Sequence, residues 1–209
     1  MANPIIRFLL FFLCLGLSPF SVDAAPRDKD RWDHKYGTDT FLFGKAPISF
    51  LKDHLSLLPK GKVLDLAMGE GRNGVFLATQ GYQVTGLDIS EIGLQKAQHL
   101  AKELGTQIDT QVVDLDTYQL PANAYDVIVC TYYLQRDLFP QMIRALKPGG
   151  VVVVETYTVD HLKYRPRFLR QFLLDRNELL RHFQELTLLR YQLVDNGHAA
   201  YASLLAQKP

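Results

Sequence analysis

Apolar residues fall into short, nearly continuous runs that alternate with stretches of helical spacing. Val63 to Leu66, Val84 to Leu87, Thr110 to Val113 and Tyr125 to Cys130 read as successive strands. Val151 to Glu155 is a β-branched run of the kind found in strands covered on both faces. Between them, Pro47 opens a helix with Ile48, Leu51, Leu55 and Leu58 on one face, stopped by Pro59-Lys60-Gly61. Ser90 is placed to cap a helix carrying Leu94, Ala97, Ala101 and Leu104, closed by Gly105. Leu138 to Leu146 forms another helix, ended by Lys147-Pro148-Gly149, and Asn177 to Phe183 a short one. Two last strands, Leu186 to Val194 and Ala199 to Leu205, flank Asp195-Asn196-Gly197, a strong hairpin signal. The expectation is an α/β domain with a mostly parallel sheet, helices on both faces and a C-terminal antiparallel hairpin.

The join between the first strand and its helix carries the chemistry. Val63 to Gly74 runs from a buried strand through Gly69, Gly71 and Gly74, a G-x-G-x-x-G spacing. Glycine serves where φ is positive or a ligand approaches the backbone, and the helix that follows points free N–H groups at it. Asp88 ends the second strand where a ribose-binding carboxylate belongs, which suits a dinucleotide and S-adenosylmethionine equally. Asp65, inside the first strand, separates them: a carboxylate there does nothing for a pyrophosphate but answers the ammonium of a methionine moiety. Asp114 ends the third strand as an acceptor for an adenine amino group. An Asp at each of three strand ends favours the cationic cofactor.

On these residues the chain resembles the class I S-adenosylmethionine-dependent methyltransferases over about residues 32–207. Val-Leu-Asp-Leu-Ala-Met-Gly-Glu-Gly-Arg-Asn-Gly matches that family's first motif. Gly-Leu-Asp-Ile-Ser (86–90), Val-Val-Asp-Leu (112–115), Tyr-Asp-Val-Ile-Val-Cys (125–130) and Leu-Lys-Pro-Gly-Gly (146–150) match the later ones. Gly-Arg-Asn (71–73), Val-Val-Asp-Leu and Asn-Glu-Leu-Leu-Arg-His-Phe (177–183) are similar to the tellurite/selenite-resistance methyltransferases. The resemblance implies a Rossmann-like sheet with one reversed strand. It implies S-adenosyl-L-methionine as cofactor, held by Asp65, Gly69, Gly71, Asp88, Ile89, Asp114, Leu115 and Cys130. Ala67-Met68 stands where the family usually has Gly-Cys, placing a bulky side chain beside the cofactor loop.

At 209 residues, 47% apolar, the chain can bury one sizeable core, and a net charge of +1 excludes nucleic-acid binding driven by bulk charge. Arg7, the apolar run Phe8 to Leu17 and Val22-Asp23-Ala24-Ala25 read as a signal peptide cleaved after Ala24, too short to span a bilayer comfortably. Export is the expectation, with an uncleaved anchor or a cytoplasmic product as alternatives. Residues 25–31 read as a charged linker and 32–209 as the methyltransferase domain. Cleavage would leave Cys130 alone, so no intramolecular disulfide forms. A monomer or homodimer is expected, with no metal ligands.

Methyl transfer is an in-line displacement at a sulfonium, so the protein mainly supplies position and a dry cavity. Tyr132 and Tyr133 follow the fourth strand and are the candidate catalytic residues. Trp32 and Tyr36 are placed to close over the site, their faces attractive to a sulfonium, though both also fit simple packing. His34, His161 and His198 read as surface or capping residues, and no general base declares itself. That suits a small-molecule acceptor of the thiol or chalcogen-oxyanion class. Arg165, Arg167 and Arg170, after the fifth strand, form a basic rim for an anionic substrate, or equally the solvated face of a helix. Two alternatives remain open: a nicotinamide-dependent oxidoreductase and a non-catalytic S-adenosylmethionine-binding protein.

Overall fold

The computed structural model describes residues 24–209; the expected leader lies outside the described residues except for Ala24. The parallel strands are β1 (Lys62–Leu66), β2 (Gln83–Asp88), β3 (Asp109–Val112), β4 (Tyr125–Thr131) and β5 (Leu146–Tyr157), with β6 (Thr187–Asp195) and β7 (Ala200–Gln207) at the end. They form one seven-stranded sheet in the order β3-β2-β1-β4-β5-β7-β6. β7 runs antiparallel to both β5 and β6, which is the expected reversed hairpin. The strand order reverses between β1 and β4, where open α/β sheets place their ligands at the carboxyl ends.

Alternation along the central strands fills both faces. Val127, Val129, Val151 and Val153 face one layer with Val63 and Val84. That layer is completed by α2 (Ser49–Asp53), α3 (Arg72–Thr79) and α4 (Glu91–Glu103), through Leu51, Leu77 and Ala97. Ile128, Cys130, Val152 and Val154 face the other layer with Leu64 and Leu66. There α5 (Leu138–Ala145) and α6 (Glu178–His182) bring Phe139, Met142 and Leu179. Ser90 caps α4 as expected, its Oγ accepting the Gly93 N–H at 3.0 Å.

Three elements differ from expectation. Residues 25–31 are not a linker but part of a helix, α1 (Ala24–Tyr36). Pro26 falls in its first turn, where proline is tolerated. The charges pair along the helix, Lys29 with Asp33 at 2.5 Å and Arg31 with Asp28 at 3.0 Å. The helix begun near Pro47 stops at Asp53. His54 leaves helical geometry (φ −111°, ψ 17°), and a 3-10 turn at Leu55–Leu57 follows. Met68 does not crowd the cofactor loop. It is buried, pointing into the layer between β1, β2 and α3, where Gly74 and Gly86 make room for it. A methyl group added at Gly86 would collide with Met68 Sδ.

Met68 and Gly86 are therefore one packing unit. Gly86→Ala should cost about 1–3 kcal/mol through overpacking. Adding Met68→Ala to Gly86→Ala should recover part of that loss, although Met68→Ala alone destabilises. Additive losses in a urea-unfolding double-mutant cycle would show that the two do not interact.

Candidate cofactor and acceptor site

The turn after β1 takes its shape from backbone that side chains resist. Ala67, Gly69 and Gly71 have φ of 51°, 56° and 84°. This brings the carboxyl end of β1 round onto α3, and Asn73 fastens the join. Its Oδ1 accepts the Ile48 N–H at 3.0 Å, and its Nδ2 donates to Thr131 Oγ1 at the end of β4 at 2.9 Å.

Two carboxylates lie beneath this turn. Asp65 is 2% exposed and accepts one hydrogen bond among the described residues, from the Gly74 N–H at 2.8 Å. Burial pushes its carboxyl up to about 7; the Gly74 N–H opposes the shift and the nearby Asp88 charge adds to it. Asp88 is also buried, and burial raises it too. Its oxygens accept N–H groups from Gly69 at 2.7 Å and Ser90 at 2.8 Å. Each ionised oxygen keeps lone pairs for further donors. An under-satisfied buried carboxyl at Asp65 and free acceptors at Asp88 fit the ammonium and ribose hydroxyls of S-adenosylmethionine.

The remaining expected cofactor residues follow the same rim. Ile89 is half-buried beside Asp88. Half-buried Asp114 opens a turn, accepting the Asp116 N–H on Oδ1 at 3.0 Å, and Leu115 packs into the core. Cys130 is buried with its thiol pushed up to about 12, by burial and then by Asp65. It stays a neutral filler opposite Leu66.

The rim is covered. Tyr36, at the end of α1, is buried against the cradle left by Gly69 and Gly93; a side chain at Gly69 would meet its hydroxyl at 2.6 Å. Trp32 stacks on Tyr36 at 5.4 Å and 23°. Asp33 binds the start of α4 by accepting from Ser90 Oγ at 2.6 Å. Lys96 of α4 pairs with buried Glu70 at 2.5 Å and donates to the carbonyls of Tyr36, Thr38 and Thr40. Glu70 Oε2 accepts the N–H of Leu42 at 2.8 Å. Residues 36–43 are thus strapped across the glycine turn.

The two tyrosines after β4 part company. Tyr133 turns toward the Asp114 side, donating to Gln135 Oε1 at 2.8 Å and packing on the core near Leu115. Tyr132 turns the other way with φ 56°, a strained conformation of the sort concentrated at functional sites. Its hydroxyl donates to Glu155 Oε1 at 2.9 Å, while Ser203 Oγ donates to Glu155 Oε2 at 2.7 Å. Its ring meets Tyr157 at 4.9 Å. Tyr157 stacks on His161 at 4.1 Å and 13°, and Phe168 closes the cluster edge-on. His161 is therefore a buried residue, not a surface one. Its Nδ1 accepts the Ala200 N–H at 3.4 Å, and burial, then Arg165, keeps the ring neutral.

The basic segment is mostly irregular, not a helix face. Arg165, Arg167 and Arg170 are exposed, and Arg170 pairs with Asp175 at 2.8 Å. Arg136 pins the segment by forking onto Glu178 at 2.6 and 3.1 Å and donating to the carbonyls of Gln171 and Leu173. His34 and His198 are exposed. Among the described residues no group of three or more His, Cys, Asp or Glu side chains could hold a metal ion, and no helix is long and apolar enough to cross a membrane.

Comparison with known proteins agrees with this geometry. Residues 63–150 match the methyltransferase domain family. Residues 63–150 are a methyltransferase domain. The chain is 27% identical over 201 residues to a probable S-adenosyl-L-methionine-dependent methyltransferase, TehB, of Haemophilus influenzae, covering 87% of this chain and 67% of the relative. The crystal structure of Haemophilus influenzae TehB superposes with a TM-score of 0.65 over 87% of this chain and 67% of that one, at 24% identity. A ubiquinone biosynthesis O-methyltransferase of Idiomarina loihiensis is 37% identical over 52% of this chain. The chain spans about half (47%) of that relative's length.

In this methyltransferase domain the buried Asp65 is a liability to the fold. Its folded pKa lies above its unfolded one, so it costs stability progressively as pH rises from about 4 to about 7. Asp65→Asn keeps an oxygen for the Gly74 N–H. The cofactor-free variant should melt higher than wild type, by a wider margin at pH 8 than at pH 5, yet bind S-adenosylmethionine at least tenfold more weakly. Equal melting temperatures with unchanged affinity would remove Asp65 from the cofactor site.

Proposed function

We propose that the chain transfers a methyl group from S-adenosylmethionine to a small, soft or anionic nucleophile, of the thiol or chalcogen-oxyanion class. The observation that carries this is that, among the described residues, the bases bordering the acceptor side are already engaged. Glu155, the carboxylate bordering the aromatic cluster, already accepts from Tyr132 and Ser203. His161 is neutral with Nδ1 engaged. The cofactor supplies an electrophilic methyl on a sulfonium. The chain's own residues do the rest. Asp65 and Asp88 orient the donor, the strap over residues 36–43 keeps water out, and Tyr132, Tyr157, His161 and Phe168 wall the approach of the acceptor. The likeness to the tellurite/selenite-resistance group supports the acceptor class.

Without an enzymic base, the pH dependence belongs to the acceptor. With a simple thiol, kcat/KM at pH 7.5 and above should climb with thiolate fraction toward a thiol pKa of about 8.5. The assay is methylated product by mass spectrometry on the full chain. A thiol profile already level at pH 7.5 would reveal a base in the protein. Calorimetry with S-adenosylmethionine, S-adenosylhomocysteine and NAD checks the donor, and binding of NAD alone would overturn the proposal.

A further inference from the structure

The acceptor's recognition can be placed more closely than the basic segment suggests. Arg72 begins α3 directly after the left-handed Gly71 and is half-buried. Its guanidinium carbon stands 5.4 Å from the Tyr132 ring centroid and 5.9 Å from that of Phe43. Among the described residues it makes no ion pair, and one hydrogen bond, Nη1 to the Phe43 carbonyl at 3.2 Å. A guanidinium has five N–H donors in a planar fork, so most of its capacity is unspent. The other arginines near the basic segment differ. Arg136 is committed to Glu178, Arg170 to Asp175, and Arg165 and Arg167 are exposed.

Arg72 is also the charge common to both halves of the site. Its field reaches Asp65 and Tyr36 on the cofactor side, and Tyr132, Glu155 and Tyr157 on the acceptor side. A cation at that junction repels the sulfonium slightly and attracts an anionic nucleophile strongly, because charge-assisted bonds gain strength away from water.

We propose that the Arg72 guanidinium binds the negative charge of the methyl acceptor, an oxyanion or thiolate seated against the unengaged N–H groups of the fork, beside the Tyr132–Tyr157 wall. This rests on the functional reading above. The Phe43 carbonyl and the Tyr132 ring hold the fork in place, and the acceptor completes its hydrogen bonding.

The test uses the full chain with selenite and a simple thiol as acceptors, and S-adenosylhomocysteine as the cofactor probe in calorimetry. Arg72→Gln keeps a donor for the Phe43 carbonyl and removes the charge. It should raise the selenite KM at least tenfold, leave the S-adenosylhomocysteine Kd within twofold, and exceed the effect of neutralising Arg165, Arg167 and Arg170 together. Arg72→Lys should recover part of the loss, because charge and not shape is the missing quantity. A selenite KM within twofold of wild type overturns the proposal. So does a parallel loss of S-adenosylhomocysteine affinity, or a lysine variant no better than the glutamine one. Wild-type protein inert toward both acceptors would instead overturn the functional reading, and this proposal with it.

Discussion

Asp65 lies inside the sheet, and among the described residues a single N–H, that of Gly74, answers its carboxyl. Isolated carboxylates are seldom buried, because desolvation disfavours the charged form by several pKa units. The rest of the site is arranged around this deficit. Glycines at 69 and 71 turn the chain so that α3 aims an N–H at Asp65. Gly74 itself has no side chain to intervene, and Asp88 sits close enough to raise Asp65 further. A fold selected for stability alone would place an apolar residue there. We propose that the carboxylate is half of an ion pair whose other half arrives with the cofactor.

The cover follows from the same region. Glu70 lies between the two glycines of the turn and points outward to the strap, while Lys96 gathers three carbonyls of residues 36–40. Tyr36 consequently rests on Gly69 and Gly93. The turn that would hold the donor and the segment that closes over it share one ion pair, Glu70 with Lys96. Fold alone does not dictate chemistry on such a scaffold. The chemistry has to be read from side chains.

Much of this was legible in the sequence because it depends on local pattern. The strands, their order of alternation with helices, the Asn-Gly hairpin and the Asp at each of three strand ends all follow from periodicity and turn residues. α1 was hidden because Pro26 and a run of charges resemble a linker, and the spacing of Lys29 with Asp33 and of Asp28 with Arg31 is what betrays a helix. Met68 looked like an intrusion beside the loop because its partners, Gly74 and Gly86, are distant in sequence. The acceptor side was the least legible. Glu155 reads as the end of a β-branched run, and its partners Tyr132 and Ser203 come from other strands. Arg72 was visible only as a motif letter, since its contacts with Phe43 and Tyr132 exist only once the chain is folded.

The central claim is that Asp65 is the buried counter-charge for the cofactor's ammonium. It is tested most directly by the pH dependence of S-adenosylhomocysteine affinity between pH 5.5 and 7.5, in wild type and Asp65→Asn. With the free carboxyl at about 7, binding must first ionise it. Wild-type affinity should then rise nearly tenfold per pH unit below pH 6.5, with proton release seen as a buffer-dependent heat. The Asp65→Asn profile should be markedly flatter. A flat wild-type profile, or an undiminished slope in the variant, would contradict the account.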